Sequence, residues 1–78
     1  MTVRYRFKGT WMGQQNTSTY HLLPSIIAVY ALYPNVNRKY AWVANDIEFK
    51  RSLHGESRSK NWARRSAADA AHKLRAIR

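Results

Sequence analysis

The chain has 78 residues, no cysteine and a formal net charge of +10, because 14 Lys and Arg stand against 4 Asp and Glu. This length predicts a single domain over residues 1–78 with a thin core, which a homodimer would help to stabilise, and the lack of cysteine excludes a disulfide framework. The longest apolar run, residues 26–33, is shorter than the roughly 20 residues that cross a bilayer, so we expect no membrane partner. We therefore expect a cytoplasmic protein with a polyanionic partner.

The first half of the chain predicts strands separated by one loop. Residues 3–8 alternate apolar and basic side chains, which indicates a strand with one cationic face. Residues 13–19 are polar and predict a loop. Residues 20–33 fit two structures: Pro24 suits the first position of a short helix, whereas the β-branched and aromatic residues after it favour a strand over residues 26–33. We expect the strand.

The middle of the chain predicts a hairpin followed by a third strand. Residues 34–38 read as a tight connection, and residues 39–45 alternate as the second strand of the hairpin. Residues 45–46 are expected to form the next turn. The strand after it is predicted to have a bulge near Arg51 and to end at Gly55. Its expected inward-facing side chains are Ile47, Phe49 and Leu53.

The last segment predicts a long helix from Lys60 to about Ile77. Strong helix formers run through it without Gly or Pro, and Ser59 is a good N-cap. At about 100° per residue, one side is apolar and faces the core: Ala63, Ala67, Ala70, Leu74 and Ile77. The opposite side is mostly polar: Lys60, Asn61, Arg64, Arg65, Ala68, His72 and Arg75. The predicted fold is α+β, a small antiparallel sheet of three to four strands with a long C-terminal helix packed on one face.

Residues 55–74, GESRSKNWARRSAADAAHKL, resemble the end of a double-stranded-RNA-binding domain. That family's signature is a Gly-rich turn, then Ser-Lys-Lys-x-Ala-Lys, then an alanine-rich stretch. Ser59, Lys60 and Ala63 agree with the signature, Arg64 stands where its last lysine would be, and Asn61 replaces its second lysine. The resemblance covers about residues 39–75, without the family's first helix or the histidine of its first strand connection.

The resemblance implies that the start of the last helix bridges phosphates across a major groove of duplex RNA. The charge pattern favours the same end of the helix, because cations at a helix N-terminus are disfavoured by roughly 0.3 to 1 kcal/mol each unless an anion lies outside. We therefore expect a non-catalytic protein that binds the backbone of duplex RNA, or of DNA. The predicted contacts are Lys60, Asn61 and Arg64, helped by Arg58, Arg65, Lys50, Arg51 and Arg38.

An alternative function is that of a small phage-type, anti-CRISPR-like inhibitor that binds a protein or ribonucleoprotein complex. Trp62 would then be an interface residue. It could also stack on a base, but we favour the interpretation that it covers the edge of the sheet. A basic protein that is merely soluble or binds acidic proteins also stays open. Residues 1–45 contain no carboxylate and the three histidines lie far apart, so we expect no enzyme, no metal site and no cofactor.

Overall fold

A computed structural model describes residues 12–14 and 16–78, with side chains from residue 16 onward. The strand predicted over residues 3–8 lies outside the described residues. The described ranges contain five strands and one helix: β1 (Met12–Gln14), β2 (Thr17–Leu23), β3 (Ile26–Ala31), β4 (Tyr40–Asp46), β5 (Arg51–Ser57) and α1 (Lys60–Ala76). The strands form one antiparallel sheet in chain order, with four strands of six or seven residues and the short β1 at one edge. The predicted α+β class is confirmed.

Residues 13–14 and 17–19 of the polar stretch lie in strands, so the prediction of a loop over residues 13–19 was wrong. β1 pairs with β2 across it, and β2 pairs with β3 along most of its length. Ser18 is small enough to be buried on the inner face, while the β-branched Thr17 and Thr19 suit the outer face of a strand. Pro24 lies in the turn between β2 and β3, so the preference for a strand after it is confirmed and the short helix is excluded.

The connection from β4 to β5 differs from the prediction. The turn covers residues 47–50 and begins two residues later than expected, because Asp46 belongs to β4 and its carboxylate accepts the Phe49 N–H at 3.1 Å. The β4–β5 register runs unbroken from Asp46 opposite Arg51 to Tyr40 opposite Ser57, so there is no bulge near Arg51. Three apolar side chains expected inside are exposed: Ile47, Phe49 and Leu53.

Gly55 does not end β5 but lies within it, opposite Trp42. A Cβ atom at Gly55 would lie 2.8 Å from Cζ2 of Trp42. The indole of Trp42 therefore occupies the space that a side chain at Gly55 would need. This close approach explains a glycine in the interior of a strand, where glycine is otherwise unfavourable.

The boundaries of α1 agree with the prediction. Ser59 is the N-cap, and its hydroxyl accepts the Trp62 N–H at 3.2 Å. The buried stripe is wider than predicted: Ala63, Ala67, Ala68, Ala70, Ala71 and Leu74. Ala68 was wrongly assigned to the outer side, because the sheet is broad enough to cover more than a narrow stripe. Ile77 was wrongly assigned to the core, since it follows the helix and is 58% exposed.

The core lies between α1 and one face of the sheet. Tyr20 of β2, Ala28 of β3 and Ala44 of β4 lie side by side on this inner face and are fully buried. Leu22, Ile26 and Tyr30 extend the same cluster. The opposite, outer face of the sheet carries the alternate residues of each strand, which are more exposed. The helix packs one side against the sheet and exposes the other to solvent.

Arg78, which follows α1, connects this end of the helix to the β4–β5 turn through ion pairs. The Arg78 guanidinium lies 3.1 Å from the carboxylate of Asp46, pairs with Glu48 and donates to Ser25 Oγ at 2.8 Å. Burial opposes ionisation of Asp46, but hydrogen bonds from the Phe49 N–H and from Arg78, with the Arg78 charge, hold the pKa of Asp46 below its ordinary value. Two acids thus neutralise a cation at this end of the helix.

Candidate nucleic-acid interface

The start of α1 presents exposed cationic side chains. Lys60 and Asn61 are its first two residues, and its first turn contains no Asp or Glu. Lys60, Asn61, Arg64 and Arg65 are all exposed. Arg64 follows Lys60 by four residues and therefore lies one turn along the same side of the helix. The local sequence thus places one cation, Lys60, and one amide, Asn61, where the backbone N–H groups of a helix are left without helical partners, and a second cation one turn later.

The connection between β3 and β4 lies at the same end of the molecule. Tyr40 at the start of β4 pairs with Ser57 at the end of β5, so Arg38 and the N-cap Ser59 flank one paired position. Arg58 lies in the connection from β5 to α1, next to Ser57 in the sequence. We name the residues that the fold brings to this end the helix-start cluster: Arg38, Arg58, Lys60, Asn61, Arg64 and Arg65.

Asn35 organises the β3–β4 connection and was not identified from the sequence. Its side-chain carbonyl accepts the backbone N–H groups of Asn37 and Lys39 at 2.9 and 3.1 Å. Its amide donates to Glu56 Oε2 at 2.6 Å, which ties the connection to β5. The sequence did contain a signal for this role, because Asn after Pro is typical of turns in which the Asn side chain accepts backbone N–H groups. Glu56 is therefore engaged with the loop.

Arg38 adopts a positive φ of 61°, and Lys50 one of 54°. Such left-handed conformations disfavour residues with a Cβ by roughly 1–2 kcal/mol, and turns usually place Gly or Asn there. In this chain, both turns carry a cation at the strained position. Arg38 thus occupies a backbone conformation that glycine would adopt more readily.

The fold separates Lys50 and Arg51 from the other predicted contacts. They lie at the β4–β5 turn, next to the end of α1, and a helix of 17 residues is about 25 Å long. Arg51 donates to the carbonyl of Ile77 at 2.8 Å, and its guanidinium lies 5.6 Å from the centre of the Phe49 ring. Six of the eight predicted contacts thus share one end of the molecule, and these two lie at the other.

Trp62 is exposed within the helix-start cluster. Its side chain is 59% accessible, and the guanidinium of Arg65 lies 5.3 Å from its ring centre. This cation–π contact is local to the helix, because the two residues are three positions apart. Trp62 therefore adds a flat apolar surface among the charges.

Comparisons with known proteins identify no relative: no family model, no curated protein and no solved structure matches this chain. The resemblance to a double-stranded-RNA-binding domain stays a prediction. Among residues 12–14 and 16–78, no helix has the length and apolar character needed to cross a bilayer. The same part of the chain contains no group of three or more His, Asp or Glu side chains arranged to hold a metal ion.

Proposed function

We propose that this protein binds the backbone of duplex nucleic acid, with RNA favoured over DNA, through the helix-start cluster. The observation that carries the proposal is the absence of any acid in the first turn of α1, where Lys60 lies exposed at a helix end that disfavours it. On a chain of net charge +10, phosphate is the natural counter-charge. We also propose a cytoplasmic location, because the chain contains no cysteine.

The chemistry of the cluster suits phosphate oxygens. Lysine and arginine donate charge-assisted hydrogen bonds, Asn61 contributes amide donors, and the first N–H groups of the helix add partial positive charge. The deep, narrow major groove of duplex RNA keeps such side chains away from the base edges, so recognition follows the spacing of phosphates and the shape of the duplex. The preference for RNA rests on the family resemblance of residues 55–74.

The proposal is tested by fluorescence anisotropy with labelled duplex RNA, duplex DNA and single strands across a salt series. Each neutralised phosphate adds about 0.9 to the slope of log affinity against log salt for a duplex. The double variant Lys60→Ala and Arg64→Ala should therefore flatten this slope by about 1.8 and weaken binding. The matched control, Lys73→Ala and Arg75→Ala, removes the same charge from the last turn of α1 and should retain the slope of the native protein.

A second candidate is the protein-binding inhibitor, which the exposed Trp62 favours, because Trp and Arg dominate the centres of protein interfaces. The same titration separates the two functions. Failure to bind any duplex at low salt contradicts the proposed function and favours the inhibitor. Equal losses in the two double variants contradict the proposed site, because general charge would then suffice.

A further inference from the structure

β5 is the last strand in the sheet order, and within the described residues only β4 pairs with it. Its seven residues are paired with β4 without a register shift, so the strand is regular. Most of its residues are exposed. A regular edge strand offers a row of backbone donors and acceptors to another strand.

Several features that prevent pairing at an edge are missing from β5. It contains no proline, no lysine and no bulge. Its one cation, Arg51, and its one acid, Glu56, cancel, so β5 is locally neutral on a chain of net charge +10. A second copy of the chain therefore meets little repulsion within the strand itself, although the flanking cations Lys50 and Arg58 and the molecules as wholes repel a second copy.

We propose that β5 pairs in antiparallel orientation with β5 of a second copy, about a two-fold axis that passes through His54. An axis perpendicular to the sheet keeps the inner faces of both copies on the same side, so paired residues must come from the same face of the strand. Centring the pairing on His54 satisfies this condition and uses the whole strand. The result is one continuous sheet that carries both copies of α1 on one face.

The side chains of β5 complement themselves in this register. Leu53, which is 38% exposed, lies opposite the partner subunit's Gly55. Because Gly55 lacks a side chain and is backed by the indole of Trp42, the position offers Leu53 an apolar surface without a clash. On the outer face, Ser52 lies opposite the partner subunit's Glu56. Pairing between two copies would thus account both for the exposure of Leu53 and for a glycine at position 55.

Two single-cysteine variants test the proposed register directly, because the natural chain contains no cysteine. In His54→Cys, the two thiols face each other across the axis, at about the separation that a disulfide spans after a small shift. The control is His21→Cys, because His21 is also an exposed histidine on the outer face but lies in β2, three strands away. Under mild oxidation, His54→Cys should form the covalent dimer at least about tenfold faster. Equal rates would overturn the proposal.

Sedimentation without nucleic acid tests the dimer by itself. Because salt screens the repulsion between two cationic copies, the native chain should associate more tightly at about 500 mM than at about 50 mM salt, opposite to nucleic-acid binding. His54→Lys should weaken association at least about tenfold, whereas His21→Lys adds the same charge and should not. If the protein still has a monomeric mass at about 1 mM protein and high salt, the proposal is wrong. The edge of β5 would then be available to pair with a strand of another protein.

Discussion

Reversing the charge at the first residue of α1 should strengthen the fold and weaken binding at the same time. Lys60→Glu removes an unfavourable cation from the positive end of the helix dipole and adds a favourable anion. Each change is worth roughly 0.3–1 kcal/mol, so we expect the free energy of unfolding to rise by about 0.6–2 kcal/mol. In a domain of this size, Tm increases by about 4–8 °C per kcal/mol. Thermal unfolding followed by circular dichroism measures the shift.

The same variant should lose affinity for duplex RNA. One phosphate contact disappears, which flattens the salt slope by about 0.9, and the new carboxylate repels the backbone, so affinity at moderate salt should fall at least about tenfold. Fluorescence anisotropy measures both quantities. A gain of stability with a loss of binding cannot arise from damage to the fold.

Lys73→Glu is the matched control, because it makes the same charge change in the last turn of α1. There a cation is favourable, so the free energy of unfolding should fall by about 0.6–2 kcal/mol, while binding should change far less than in Lys60→Glu. If Lys60→Glu lowers Tm, the account of the helix start is wrong. If both variants bind equally well, the helix-start cluster is not the binding site.

Two further predictions concern the fold that supports this surface. Gly55→Ala places a Cβ atom 2.8 Å from the Trp42 ring, so the indole must move, and urea unfolding should show a loss of about 1–2 kcal/mol; unchanged stability would contradict the close approach. Because hydrogen bonds lower the pKa of Asp46 in the folded state, the charged carboxylate contributes to the free energy of unfolding. This contribution is complete above the ordinary aspartate pKa of about 3.9 and is lost as the pH falls through the lowered pKa. The stability difference between the native chain and Asp46→Asn should therefore shrink in acid, and a constant difference from about pH 7 to about pH 2 would refute this role.

Local signals in the sequence were sufficient to predict α1. The Ser59 hydroxyl caps the helix by accepting the N–H of Trp62, three residues away, and the alanines that follow are strong helix formers. Neither feature depends on distant parts of the chain. The β4–β5 turn could not be placed in this way. Asp46 ends β4 because its carboxylate is held by Phe49 and by Arg78, which is far away in the sequence. These contacts of Asp46 fix where β4 ends, and the register of β5 against β4 follows from that end point.

The candidate site was predicted in part. The residues around Lys60 share one end of the molecule because they are near one another in the sequence or joined through the pairing of Tyr40 with Ser57. Lys50 was assigned to the same site by its charge alone. Only two residues separate β5 from α1, so the helix must begin at the far end of β5 from Lys50. Strand length and chain direction, rather than charge, determine which cations can act together.

The alanines on the inner side of α1 have a consequence for the opposite, solvent-facing side. Ala63 is fully buried against the sheet at the beginning of the helix, and Ala67 continues this contact one turn later. A larger apolar residue at Ala63 would not fit against the sheet, so the first turns of α1 would have to move outward and would carry Lys60 and Arg64 with them. Every charge would remain on the surface, yet the distances between them would no longer match those of a ligand.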